Sequence, residues 1–234
     1  MQLKKYPKTY KLLRDYLNLS FGSTLINCPY WINKVKKGIR GPYSGKGTPK
    51  QVVRAALVRA RKKNVQLGKL AKKELRAFLR QNRIGVDCSG LVFNLANSLD
   101  RERGGQGIAS RIFNRNKFPD WNPAWRASAE KLTNDKVAKK INLKDIGVGD
   151  LIRNRGGRHV LFVVESNNNS LTYVHSSTML TKETGVHLGT IKIVDWEKGL
   201  EGQIWLEKTS DGENFGKKYF NPSNGDSIKR FNWW

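Results

Sequence analysis

The sequence predicts an α+β fold, and three observations carry that expectation. Apolar residues recur at helical spacing through roughly the first hundred positions. Short apolar or alternating runs, separated by Gly- and Asn-rich turns, fill residues 149–207. These runs follow one another closely enough to pair as an antiparallel meander, so helices come first and the sheet after. With 234 residues and 38% apolar content, the chain can bury one sizeable core, or one core with an appendage.

In chain order, residues 9–18 predict a short helix with Leu12, Leu13 and Leu17 on one side. Residues 23–37 predict a second helix with Leu25, Ile26, Trp31, Ile32 and Val35 as its apolar side and Pro29 as a break or restart. Gly38 to Gly47 read as a turn-rich loop. Thr48 as N-cap, Pro49 at the first helical position and Gln51 three residues after the cap announce the next helix, with Val52, Val53, Ala56, Leu57 and Ala60 inward. A further helix is expected over 66–82, so that 49–82 forms a basic helical hairpin. Asp87 then caps a helix that begins at Cys88 and places Leu91, Val92, Leu95 and Leu99 on one stripe. Residues 101–124 read as loop and 125–132 as helix. Strands are expected at 149–153, 159–165, 171–175, 185–194 and 203–207, with 228–234 as a last strand that would need to bury Trp233 and Trp234.

Composition bounds the functional classes. No stretch approaches the ~20 apolar residues of a membrane span. The basic start, Met1 to Lys8, is followed by no apolar run and does not read as a secretory signal. The chain as given is therefore expected to be cytoplasmic, exported to the cell wall by a non-standard route, or missing its leader. Cys28 and Cys88 are expected as reduced thiols, Cys28 in the core. Three histidines without zinc spacing predict no structural metal, and nothing predicts a cofactor. The glycines of 41–47 lack the strand and spacing of a phosphate-binding loop.

The charge is lopsided. Residues 1–86 hold 22 of the 44 Lys and Arg but two of the 19 acids, Asp15 and Glu74. Such an excess points to a polyanionic partner for the N-terminal helices: nucleic acid, an anionic surface or an acidic wall polymer.

Cys88 is the candidate nucleophile, because the first turn of a helix favours thiolate over thiol. His159 opens one expected strand and His175 ends the next. A three-residue loop at 167–169 would pair Leu161 with His175 and put both histidines on one face, whereas a loop one residue longer or shorter would separate them. His159 would then serve as base and His175 would orient its imidazole. His187 reads as an ordinary strand residue.

Four motifs in order, Asp87-Cys88-Ser89-Gly90-Leu91-Val92, Gly149-Asp150-Leu151-Ile152, Arg158-His159-Val160 and Val174-His175-Ser176, resemble the signature of the NlpC/P60 family of papain-like cysteine peptidases. The resemblance covers about residues 85–195. It implies a papain-like fold with the cysteine helix packed on an antiparallel sheet. It also implies a hydrolase that cuts amide bonds in peptidoglycan stem peptides through a thioester, with Cys88, His159 and His175 catalytic. By the same resemblance the Cys88 and Ser89 backbone N–H groups would hold the oxyanion, and a tyrosine would lie by the nucleophile: Tyr43, or Tyr30 as its competitor. In the family the usual spacing from that tyrosine loop to the cysteine is short, whereas here the basic hairpin 49–82 intervenes. The expected organisation is a basic helical region, 1–84, whose loop 38–47 reaches the active site and whose hairpin 49–82 is an insertion, and a catalytic domain, 85–234. An inactive binding module of the same fold and an acyltransferase or amidase on another acyl substrate are the competing readings.

Overall fold

A computed structural model describes residues 1–113, 122–178 and 180–234; the part of the expected loop between 114 and 121 lies outside the described residues. The chain is a mixed α+β protein. Helices α1 (Pro7–Leu17), α2 (Pro49–Lys62), α3 (Lys72–Gln81) and α4 (Cys88–Glu102) precede a sheet, with short helices α5 (Ala109–Ile112), α6 (Ala129–Thr133) and α7 (Phe215–Tyr219) between and after its strands. Strands β1 (Leu19–Phe21) and β2 (Thr24–Ile26) form a separate hairpin. Strands β3 (Ala138–Lys140), β4 (Leu151–Asn154), β5 (His159–Asn167), β6 (Ser170–Ser177), β7 (Gly185–Lys192), β8 (Ile204–Trp205) and β9 (Ser227–Phe231) make one antiparallel sheet in the order β3-β9-β4-β5-β6-β7-β8.

Local rules account for the helix ends. Thr48 Oγ1 accepts from the Gln51 N–H while Gln51 Oε1 accepts from the Thr48 N–H, the capping box legible in the sequence. The first turn of α1 has no local side-chain cap. Glu102, at the far end of α4, accepts from the Lys8 and Thr9 N–H groups at 2.9 and 2.7 Å and locks the two helices together.

Three expected helices are corrected. Residues 23–37 hold no α-helix: Gly22 takes a positive φ of 64° and turns the chain into the β1–β2 hairpin, and the stretch after Pro29 is extended loop closed by one 3-10 turn at Val35–Lys37. The helix expected over 66–82 begins only at Lys72, where Glu74 caps the Ala71 N–H. The one expected over 125–132 divides into a single 3-10 turn and α6, because Ser128 caps a new start.

The central strands are buried on both faces, which is why β5 begins as an unbroken apolar run. Val160, Phe162 and Val164 face the helical layer with Leu91, Val92 and Val174. Leu161, Val163, Tyr173 and Ile191 face a second cluster closed by Trp205, Phe215 and Phe220. Leu3, Leu13, Leu75 and Leu79 share the first cluster with α4 and β5, so the expected parts 1–84 and 85–234 meet in a common core. The expected last strand is β9, which joins β3 to β4. Beyond it the indole N–H groups of Trp233 and Trp234 both donate to the buried carboxylate of Asp100, at 3.2 and 2.8 Å.

Candidate active site

Cys88 stands where the sequence puts it, at the first residue of α4, with Asp87 as N-cap accepting from the Gly90 N–H at 2.7 Å. A glycine is required at position 90, because a Cβ there would lie 2.7 Å from the Gly45 carbonyl oxygen. That closeness lets the 42–46 loop dock on the helix start. Its Lys46 reaches in, buried, and places Nζ 2.6 Å from both Asp87 carboxylate oxygens and 2.6 Å from Ser89 Oγ. Ser89 Oγ donates onward to Asp87, at 3.0 Å. The Asp-Cys-Ser-Gly turn is thus held by an ion pair to a residue 41 positions earlier.

The sulfur faces a cavity of about 800 Å³ whose lining also includes His159, Lys46, Tyr30, Ser177 and Trp125. The backbone N–H of Val160, next to His159, reaches Cys88, so helix start and strand start meet at this sulfur. Tyr43 does not line this cavity: its φ of 53° lays the side chain against Gly47, and Tyr30 occupies the pocket position instead. Burial, then the nearness of Cys88 and Asp87, raises the Tyr30 phenol.

The thiolate expected from the helix dipole is also corrected. Burial pushes the Cys88 thiol up to about 12, and Asp87 adds to the rise. Lys46 and the backbone groups of Val160 and Ser89 oppose that shift without prevailing. A dipole acting from one helical turn is weaker than the desolvation of a buried sulfur.

The histidines do share a face, by a route other than the expected loop. The hairpin closes with Asn167 opposite Ser170, a turn one residue shorter than expected, and a bulge at Val164 restores the register to Phe162 opposite Val174. His159 Nε2 then lies 2.8 Å from His175 Nδ1. His187 belongs to a strand, as expected, but sits directly across from His175 in β7, and its ring joins the network. His175 Nε2 is 2.9 Å from His187 Nε2, and both meet Glu207 Oε1, at 3.0 and 2.7 Å. Tyr173 donates its hydroxyl to Glu207 Oε2 at 2.5 Å. Sequence reasoning missed Glu207, which follows a strand only two residues long; the alternation His175, His187 across one hairpin was the available signal.

Donor and acceptor rules assign the protons. Gly185 O accepts from His187 Nδ1, so that nitrogen carries hydrogen. Glu207, its carboxyl lowered by His175 and His187 against the effect of burial, is an acceptor for both Nε2 atoms. His187 has both ring nitrogens against acceptors, Gly185 O and Glu207 Oε1, and Glu207 raises it although burial works the other way. Burial lowers His175 and His159, which stay neutral. His175 thus presents N–H to Glu207 and a lone pair to His159 Nε2–H, which leaves the lone pair of His159 on Nδ1.

The chain matches no family model, no curated protein and no solved structure.

Two outcomes follow. Lys46→Met strands a buried carboxylate and should cost about 3 kcal/mol, roughly a 10 °C fall in Tm by calorimetry, largely recovered by adding Asp87→Asn. An unchanged Tm would contradict the ion pair's role. Alkylation of Cys88 by iodoacetamide, read by mass spectrometry, should climb about tenfold per pH unit from pH ~7 to ~10. A plateau below pH ~8 would instead reveal a preformed thiolate–imidazolium pair.

Proposed function

We propose that the chain is a thiol-dependent amide hydrolase of NlpC/P60-like, papain-like construction, acting on peptidoglycan stem peptides or wall-derived peptides. The observation that carries the reading is the convergence on one cavity of a helix-start cysteine and a histidine whose proton order is set from behind by His175 and Glu207. Cys88 Sγ attacks the amide carbonyl and passes its proton to His159 Nδ1. The imidazolium is stabilised through His175 and the carboxylate behind it, as a third group does in other triads. The oxyanion is held by the Cys88 and Ser89 N–H groups at the helix start. His159 protonates the leaving amine, and water then cleaves the thioester by the reverse relay.

The cavity's charge fits a peptide bearing carboxylates. Arg40, Arg155 and Arg158 line it, while its acids are engaged, Asp87 by Lys46 and Glu130 by Arg153. Ser177 adds a buried hydroxyl at the wall with no hydrogen-bond partner among the described residues, a ready contact for a substrate amide.

An adjoining surface supports the anionic-polymer partner. A second cavity of about 690 Å³ is lined by Arg40, Arg59, Lys63 and Arg83 and by no carboxylate. Among the described residues, only Lys11 and Lys46 of the Lys and Arg in 1–86 are held in ion pairs. Arg40 lines both cavities, so a polymer held on α2 and the 81–83 turn would lie beside the nucleophile.

Wild type should release cleaved peptides from purified muropeptides, seen by mass spectrometry, and Cys88→Ala should release none; cleavage by both would sink the mechanism. For the basic surface, affinity for an anionic polymer should drop at least about a hundredfold between ~50 and ~200 mM salt. Arg59→Glu with Lys63→Glu should weaken binding and flatten that slope. Salt-dependent binding by a chain that cuts no amide would favour the binding-module reading.

A further inference from the structure

We propose that His175, His187 and Glu207 form a binding site for one divalent transition-metal ion, with zinc the best match to the donor set. We infer further that a metal there removes the lone pair His159 needs as a base. The site itself stands apart from the hydrolase reading; only its effect on activity rests on it.

The three ligand atoms are His175 Nε2, His187 Nε2 and Glu207 Oε1, a triangle with edges of 2.9, 3.0 and 2.7 Å. Three electron-pair donors aimed at one point require positive charge between them, supplied either by protons or by a cation. Two imidazoles and one carboxylate are a zinc donor set, with bonds of about 2.0–2.2 Å and the remaining position left to solvent or solute. Tetrahedral zinc sets its ligand atoms about 3.3 Å apart, so each side chain need withdraw by only a few tenths of an ångström.

Each ligand is already oriented from its far side, as metal ligands generally are. His187 Nδ1 donates to Gly185 O at 2.9 Å, Glu207 Oε2 accepts from Tyr173, and His175 Nδ1 faces His159. Tyr173 and Phe215 pack edge-on against the His175 ring, with centroids 5.5 Å away in both cases, and fence the site with apolar surface. Glu207, beside the edge strand β8, keeps 9% of its side chain exposed and marks the way in. Zinc spacing was absent from the sequence because these ligands assemble across strands.

The placement of hydrogens gives the consequence. With metal on both Nε2 atoms, the hydrogen of His187 sits on Nδ1, where Gly185 O accepts it. The single proton of His175 must then sit on Nδ1, pointing at His159 Nε2. His159 accepts there with its own lone pair and carries its hydrogen on Nδ1, where it cannot take the Cys88 proton.

The test uses the whole metal-free chain, titrated with Zn²⁺ by calorimetry and with Co²⁺ by absorption spectroscopy. One equivalent should bind, with a cobalt spectrum free of thiolate charge-transfer bands. His187→Ala and Glu207→Gln should each weaken binding about tenfold or more, and Cys88→Ala should leave it unchanged. The cobalt spectrum of the unaltered chain serves as readout should a variant fail to fold. No binding at roughly 100 μM metal overturns the site. So does a thiolate band that disappears in Cys88→Ala, since the metal would then sit on the nucleophile. If wild type proves hydrolytic, one equivalent of zinc should abolish cleavage and a chelator restore it; full activity of the zinc-loaded chain overturns the proton argument while leaving the site standing.

Discussion

The buried ion pair between Lys46 and Asp87 is the interaction on which the remaining geometry hangs. Asp87 is simultaneously the cap of α4, the acceptor for Ser89 and the counter-charge of a lysine that is 7% exposed. Removing either partner leaves a largely buried charge without its counter-charge, far costlier than losing a surface salt bridge. The pair also fixes where the 42–46 loop lies, and with it one wall of the main cavity. Gly90 and Lys46 are complementary parts of one joint: the missing side chain makes room for the approach, and the charge holds it.

The sheet solves a different problem. With apolar layers on both sides, a polar residue on an inner strand must find its partners within the sheet's own face. His159, His175 and His187 do so by lining up along adjacent strands, and the row ends at a carboxylate near the sheet's edge. The order of the row matters as much as its members. Burial lowers the ring nearest the cysteine and Glu207 raises the ring nearest the acid, so burial and pairing act in opposite directions on two rings separated by a single strand.

Much of this was legible locally. The cap at Thr48, the cap at Asp87, the stripe on α4, the strands bearing His159 and His175, and the final strand β9 all rest on patterns within a few residues of each other. What escaped depends on contacts between distant positions. Lys46 gives no sign that its partner lies 41 residues on, and the path of the extended loop after Pro29, not the tyrosine's own neighbours, decides that Tyr30 enters the cavity and Tyr43 does not. The turn at 167–170 was expected one residue too long, and the shared face survives because the Val164 bulge supplies the compensating residue. The thiol's ionisation went the wrong way since burial, invisible along one short motif, outweighs the helix end.

Strand β8 is two residues long and pairs with only Ile191 and Lys192. Trp205 pins it, donating to the Leu200 carbonyl and packing among Tyr173, Phe215 and Phe220. Edges of this kind open locally at far lower free energy than the whole molecule. The carboxylate at the end of the row therefore hangs beside a short edge strand, tied in by the Leu206 N–H to Thr190 O and the Phe215 N–H to Glu207 O. A fluctuation there would scramble the hydrogens while leaving nearly every helix and strand intact. The order of the row and the integrity of the fold are separable properties in this architecture, and the packing around Trp205 links them.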